Sequence, residues 1–143
     1  MKKAIIYIII FFCLVIGLCA CRSKYDLDMA NHDWELQIVQ DSDRVLYCSE
    51  ELKENYQGAE VLSLKCKIDG EYVVLSDKEN TWKIKYKENE RTPESVIFDL
   101  EYEEPGNVYV GNAVLSVTEY ADSTFEYTLV IQLADYSIQF FAD

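Results

Sequence analysis

From Asp33 to the C-terminus, apolar and polar residues alternate with a period of two. That period sends successive side chains to opposite faces of an extended chain, so each such stretch predicts a half-buried β-strand. Trp34, Leu36 and Ile38 alternate with Glu35 and Gln37, and Leu62, Leu64, Cys66 and Ile68 with Ser63, Lys65 and Lys67. Trp82, Ile84 and Tyr86 alternate with Lys83, Lys85 and Lys87, and Val96, Phe98, Leu100 and Tyr102 with Asp99 and Glu101. Phe125, Tyr127, Leu129, Ile131 and Leu133 form a further face. Strands at 44–48, 71–75, 108–120 and 136–141 complete the pattern. Turn formers separate them: Asp69-Gly70, Asp77-Lys78-Glu79-Asn80, Pro105-Gly106-Asn107, Ala121-Asp122-Ser123 and Ala134-Asp135.

Strands at such regular spacing, with short connections, predict an all-β fold: a single antiparallel meander β-barrel of about 8–9 strands. Closing the sheet removes its exposed edges. The predicted interior holds Trp34, Leu36, Leu64, Trp82, Ile84, Phe98, Leu100, Leu115, Phe125, Leu129, Ile138 and Phe140, with Tyr86 and Tyr127 on the same faces. An eight-stranded barrel is only just wide enough for its own side chains or one small ligand. So bulky a set argues against a deep cavity and leaves room for a shallow one at the mouth. One short helix is predicted at 49–57, with Ser49 to cap it, Glu50 and Glu51 in its first turn and Gly58 to end it.

The N-terminus follows different rules. Lys2 and Lys3 precede an uncharged apolar run from Ala4 to Leu18, shorter than the ~20 residues a membrane-spanning helix needs. Leu18-Cys19-Ala20-Cys21 then resembles the lipobox of bacterial lipoproteins, with Leu at −3, a small residue at −1 and the acceptor cysteine at +1. The resemblance implies that residues 1–20 are a lipoprotein signal peptide and that the Cys21 thiol carries a diacylglycerol. It implies a domain held at the extracytoplasmic face of the cell membrane by its lipid. Two acyl chains suffice for stable anchoring. Residues 21–31 then read as a tether and 32–143 as the barrel domain.

Charge narrows the partners. The chain of 143 residues has 13 Lys+Arg and 26 Asp+Glu, a net charge of −13. Removing residues 1–20 takes two lysines and no acid, leaving 11 basic against 26 acidic residues, or −15. Phosphate backbones need a basic excess, so the composition argues against a nucleic-acid partner. Such a domain is also repelled by an anionic leaflet.

Candidate chemistry is sparse. His32, the only histidine, adjoins Asp33 and allows an acid/base pair on paper, but it sits where tether meets strand and reads as a junction residue. Asp41, Asp43, Glu50 and Glu51 gather carboxylates without the glycine and distal glutamate of a calcium loop, and turn chemistry accounts for the aspartates. Glu101, Glu103 and Glu104 read as a solvated strand end. Cys48 and Cys66 read as buried free thiols rather than a disulfide, because antiparallel pairing across the connection does not set them opposite one another. Tyr47, Tyr72, Tyr109, Tyr120 and Tyr136 have no assigned face. No glycine-rich phosphate loop or nucleophile elbow is present. The sequence thus names no catalytic residue, metal ligand or cofactor, and predicts a non-enzymatic protein.

The acylated start, the early tryptophan in His32-Asp33-Trp34, the meander and the final aromatic strand together resemble small lipocalin-like lipoproteins of bacteria, with META-like envelope barrels a near alternative. Lipocalins favour Gly-x-Trp where this chain has His32-Asp33-Trp34. The likeness implies a module that binds a small or amphipathic ligand at the barrel mouth. The other expectation is a protein-interaction or inhibitor module at the cell envelope. An apolar cavity of several hundred Å³ separates the first from the second, which calls for a filled interior and an exposed apolar patch.

Overall fold

The computed structural model describes residues 24–143; the predicted signal peptide 1–20 and the acylation site Cys21 lie outside the described residues. Ten strands form one sheet: β1 (Trp34–Gln40), β2 (Val45–Cys48), β3 (Glu60–Val61), β4 (Lys65–Asp69), β5 (Tyr72–Ser76), β6 (Thr81–Arg91), β7 (Ser95–Glu104), β8 (Asn107–Glu119), β9 (Phe125–Leu133) and β10 (Tyr136–Ala142). Strands β4 to β10 run as an uninterrupted antiparallel meander, and β1 pairs with both β10 and β4. The result is a closed eight-stranded barrel. Strand β2 pairs with the second half of β1, along the edge that β4 takes on its first half, and β3 pairs with β2 in parallel.

The inner face is the one the alternation predicts. Trp34, Leu36, Leu64, Ile84, Phe98, Leu100, Leu115, Leu129 and Phe140 are buried in one core cluster, with Trp82, Phe125 and Ile138 packed against it. Each fully buried side chain of this size contributes about 1.5–3 kcal/mol relative to exposure. The turns obey their sequence. Gly70 and Gly106 take positive φ, 59° and 89°, which a side chain would disfavour. Gly111 serves differently: it faces inward in β8 between Leu100 and Leu133, and a Cβ there would collide with the Gln132 carbonyl oxygen.

Ile38 departs from the expected face. A β-bulge between Leu36 and Ile38 inserts Gln37 unpaired, so Ile38 pairs with Gln139 and Val39 with the inward Ile138. One extra residue reverses the phase of everything after it. Val39 thus enters the barrel, while Ile38 turns to the outer face beside its partner Cys48. Both are buried there, outside the main core cluster.

Two further expectations give way. The helix predicted at 49–57 is a single 3-10 turn, Glu50–Leu52, followed by turns. Ser49 makes no side-chain cap, and only Leu52 and Tyr56 of the segment's apolar residues are available to bury, which is too little for a short helix to persist. The expected tether over 21–31 does not hold for its described part, 24–31. Leu27 and Met29 are 3% and 1% exposed and belong to the core cluster. Apolar side chains of that size stay out of water when a barrel end is open to receive them.

These residues plug the end where β1 begins. The Trp34 indole N–H donates to the Met29 carbonyl (2.9 Å), and the Asp26 amide donates to the Tyr127 hydroxyl (3.2 Å). At the outer edge, Lys24 Nζ and the Tyr25 hydroxyl both donate to Glu119 Oε2, at 2.6 and 2.7 Å. Ring, core and plug are all built within 24–143, so this segment holds a complete core of its own. Among the described residues no helix is long and apolar enough to cross a membrane.

Candidate functional site

Opposite the plug, four turns surround the other end of the barrel: 41–44, 77–80, 105–106 and 134–135. The wall there is uneven. Pairing of β7 with β6 stops at Lys85–Glu101, and pairing of β8 with β9 stops at Gly111–Leu133. Residues 102–110 therefore rise past their neighbours as a two-stranded ribbon bonded only to itself. Its inner face carries Tyr102, Glu104 and Tyr109, and its outer face Glu103, Val108 and Val110. Tyr102 and Tyr109 stack with ring centres 6.2 Å apart.

Behind the ribbon lies a cavity of about 400 Å³. Leu64, Leu75, Ile84, Ile131 and Ile138 form its floor; Val39, Leu62, Trp82 and Leu133 form its sides. Tyr47, Tyr102, Tyr109 and Tyr136 stand at the opening with two carboxylates, Asp77 and Glu104. Among the described residues no lysine, arginine or histidine lines it. The cavity exists because side chains do not fill this end as they do the other. The plug delivers Leu27 and Met29 to one end, while the mouth is lined by tyrosines of four strands with Asp77 and Glu104.

Both carboxylates are oriented by the chain. Asp77 Oδ1 accepts the backbone N–H groups of Glu79 (2.8 Å) and Asn80 (2.7 Å). These bonds hold its pKa below the ordinary aspartate value, so it is charged at neutral pH. Glu104 Oε1 accepts from the Tyr102 hydroxyl at 3.0 Å. Burial, with that hydrogen bond second, pushes the Tyr102 hydroxyl above the usual tyrosine value and keeps it a donor.

The other residues singled out in the sequence lie apart from the cavity. His32 is half-buried at the plugged end, its ring 4.1 Å from that of Tyr127 and 5.3 Å from that of Trp34. Its Nε2 lies 2.7 Å from the Asp26 carbonyl, so its partner is a backbone oxygen rather than the Asp33 carboxylate. Asp41 Oδ1 accepts the amides of Asp43 and Arg44, a turn role that lowers its pKa. Glu50 pairs with Lys53 at 3.8 Å. Among the described residues no group of three His, Cys, Asp or Glu side chains could hold a metal ion. Cys48 and Cys66 are both free thiols; Cys48 is on the outer face and Cys66 packs against the core. Tyr72 and Tyr120 are exposed, away from the mouth.

Three of the mouth tyrosines and one carboxylate, Asp77, are not identifiable as a set from the sequence. Tyr102 and Glu104 continue the inward phase of Phe98 and Leu100, and that signal was readable. Tyr47, Tyr109, Tyr136 and Asp77 come from separate turns and strand ends that only barrel closure brings together. Comparison with protein-family models, curated proteins and solved structures finds no match.

Proposed function

We propose that this chain is a membrane-anchored extracytoplasmic lipoprotein whose lipocalin-like barrel binds a small or amphipathic ligand at its mouth, without catalysing a reaction. The anchor reading rests on the lipobox-like Leu18–Cys21 segment, with Cys21 as the lipid attachment site. The binding reading rests on one observation: a cavity of about 400 Å³, apolar in its depth and ringed by hydroxyls and carboxylates, at the end left unplugged. That volume and that arrangement of apolar body and few polar groups are those of small-molecule sites. Burial of a ligand's apolar part drives binding, and the rim selects what remains outside.

The test uses the chain from residue 21 onward with Cys21→Ser in place of the acylation site. N-phenyl-1-naphthylamine, an uncharged probe that fluoresces in apolar surroundings, is titrated into it. We expect saturable enhancement at one probe per chain, lost in Leu133→Trp, which narrows the cavity from its side. A folded barrel that gives no saturable signal contradicts the binding reading. Lipid attachment is tested separately: in cells, Cys21→Ser should release the protein from the membrane fraction.

The exposed outer face of the ribbon, where Val108 and Val110 are 61% and 72% accessible, favours a second reading, an interaction module for an envelope protein. Substituting both valines with threonine would weaken such an interaction and leave probe binding intact.

A further inference from the structure

We infer that the mouth cavity selects a cationic amphiphile: an alkyl or aryl body carrying one ammonium group. This rests on the binding reading above and adds the charge of the ligand. The argument is one of complementarity. Among the described residues the lining holds two carboxylates, four tyrosines, one tryptophan and no basic side chain. A carboxylate or sulfate headgroup entering here would leave water with no positive partner, and an uncompensated charge is costly to desolvate. An ammonium headgroup meets Asp77 and Glu104, each already oriented by hydrogen bonds to its own hairpin. It also meets aromatic faces, which attract cations by their quadrupole.

The four surrounding turns, with the ribbon residues Glu103 and Glu104, strengthen the bias. They carry Asp41, Asp43, Asp77, Glu79, Glu103, Glu104 and Asp135 against only Arg44 and Lys78. Charges of one sign around a low-dielectric concavity focus the potential into it, so cations are concentrated at the opening. The apolar depth then excludes small hydrated cations, which have nothing to place there. The occupant that satisfies both halves has a charged head at the rim and an apolar body beneath.

Three ligands with the same tail test it by titration calorimetry on the Cys21→Ser chain: octyltrimethylammonium, 1-octanol and octanoate. The inference predicts that the ammonium binds about tenfold more tightly than the alcohol, the size of one screened ion pair plus cation–π contact, and that octanoate binds least. In Asp77→Asn/Glu104→Gln, which keeps the acceptor of the 77–80 turn, the ratio of ammonium to alcohol affinity should fall severalfold, to the part the aromatic faces supply. If the alcohol or octanoate binds as tightly as the ammonium, cation selection is overturned while ligand binding stands. If the full preference survives in the double variant, the two carboxylates do not supply it and their assignment is overturned. If none of the three binds the folded barrel, the binding reading itself fails.

Discussion

Cys66 shows how position on a face sets the chemistry of a residue. It pairs with Trp34 across the closing seam of the barrel and packs against the core. Burial there pushes its thiol from an ordinary 9.0 up to about 12. A thiol held neutral is a poor nucleophile. In the folded domain iodoacetamide should therefore spare Cys66 at mildly alkaline pH, and also Cys48, which is 0% exposed. After unfolding both should react; an unfolded chain with no reactive thiol would mean a disulfide and contradict the structure. The same shift makes stability pH-dependent. Below 9.0 both folded and unfolded states keep the proton. Between 9.0 and about 12 only the unfolded state releases it, so this group's contribution to stability falls across that window. Denaturant titrations should show a shallower alkaline fall in Cys66→Ala. All twelve residues assigned to the interior from alternation are in the core or packed on it, because a period of two leaves little freedom about which face is buried. In the sequence Asp77 signals only a turn. The turn forms, but a one-dimensional pattern does not say that this turn overlooks a cavity.

At the scale of elements, the exceptions to simple alternation are what shape the site. The bulge at Gln37 turns Val39 into the cavity and Ile38 out of it, and nothing in the run from Trp34 to Gln40 announces the extra residue. The segment 24–31 departs from its expected role for a different reason. Its apolar residues Tyr25, Leu27 and Met29 alternate with Asp26 and Asp28, but so short a run beside the predicted anchor reads as linker. Their burial depends on a barrel end built by strands far along the chain. If the plug is structural, Met29→Ala should lower unfolding free energy by about 2–5 kcal/mol, as a large-to-small change at a buried site does. It should leave probe binding at the opposite end unchanged in the folded fraction. A loss under about 0.5 kcal/mol, the range of ordinary surface substitutions, would show that the segment only rests on the barrel. The ribbon 102–110 was legible as a hairpin from Pro105-Gly106, but its overhang follows from where the neighbouring strands stop, which is a matter of register.

At the scale of the molecule, the chain makes a barrel with unlike ends. One end is closed by its own N-terminal segment, and the other is left hollow and acidic. That segment leads back to Cys21, so in the proposed anchored state the plugged end is tied toward the bilayer by a short connection and the mouth lies at the far end. The net charge of −15 left after removal of residues 1–20 opposes close contact with an anionic leaflet. Fold class and inner face were legible in the sequence because they are local periodicities repeated many times. The cavity was not, since interior volume depends on which side chains meet across the barrel. The bulky interior residues suggested a filled barrel, and they do fill it, except behind the ribbon.

The two tryptophans lie at opposite ends and give the most direct test of where a ligand goes. Trp82 lines the cavity, while the Trp34 indole is bonded to Met29 inside the plug. Their indole N–H resonances can be followed in two-dimensional ¹H–¹⁵N spectra while N-phenyl-1-naphthylamine is added to the Cys21→Ser chain. The Trp82 resonance should shift and saturate while that of Trp34 stays in place. Movement of Trp34 with Trp82 unmoved, or no saturable movement of either, would contradict ligand binding at the mouth.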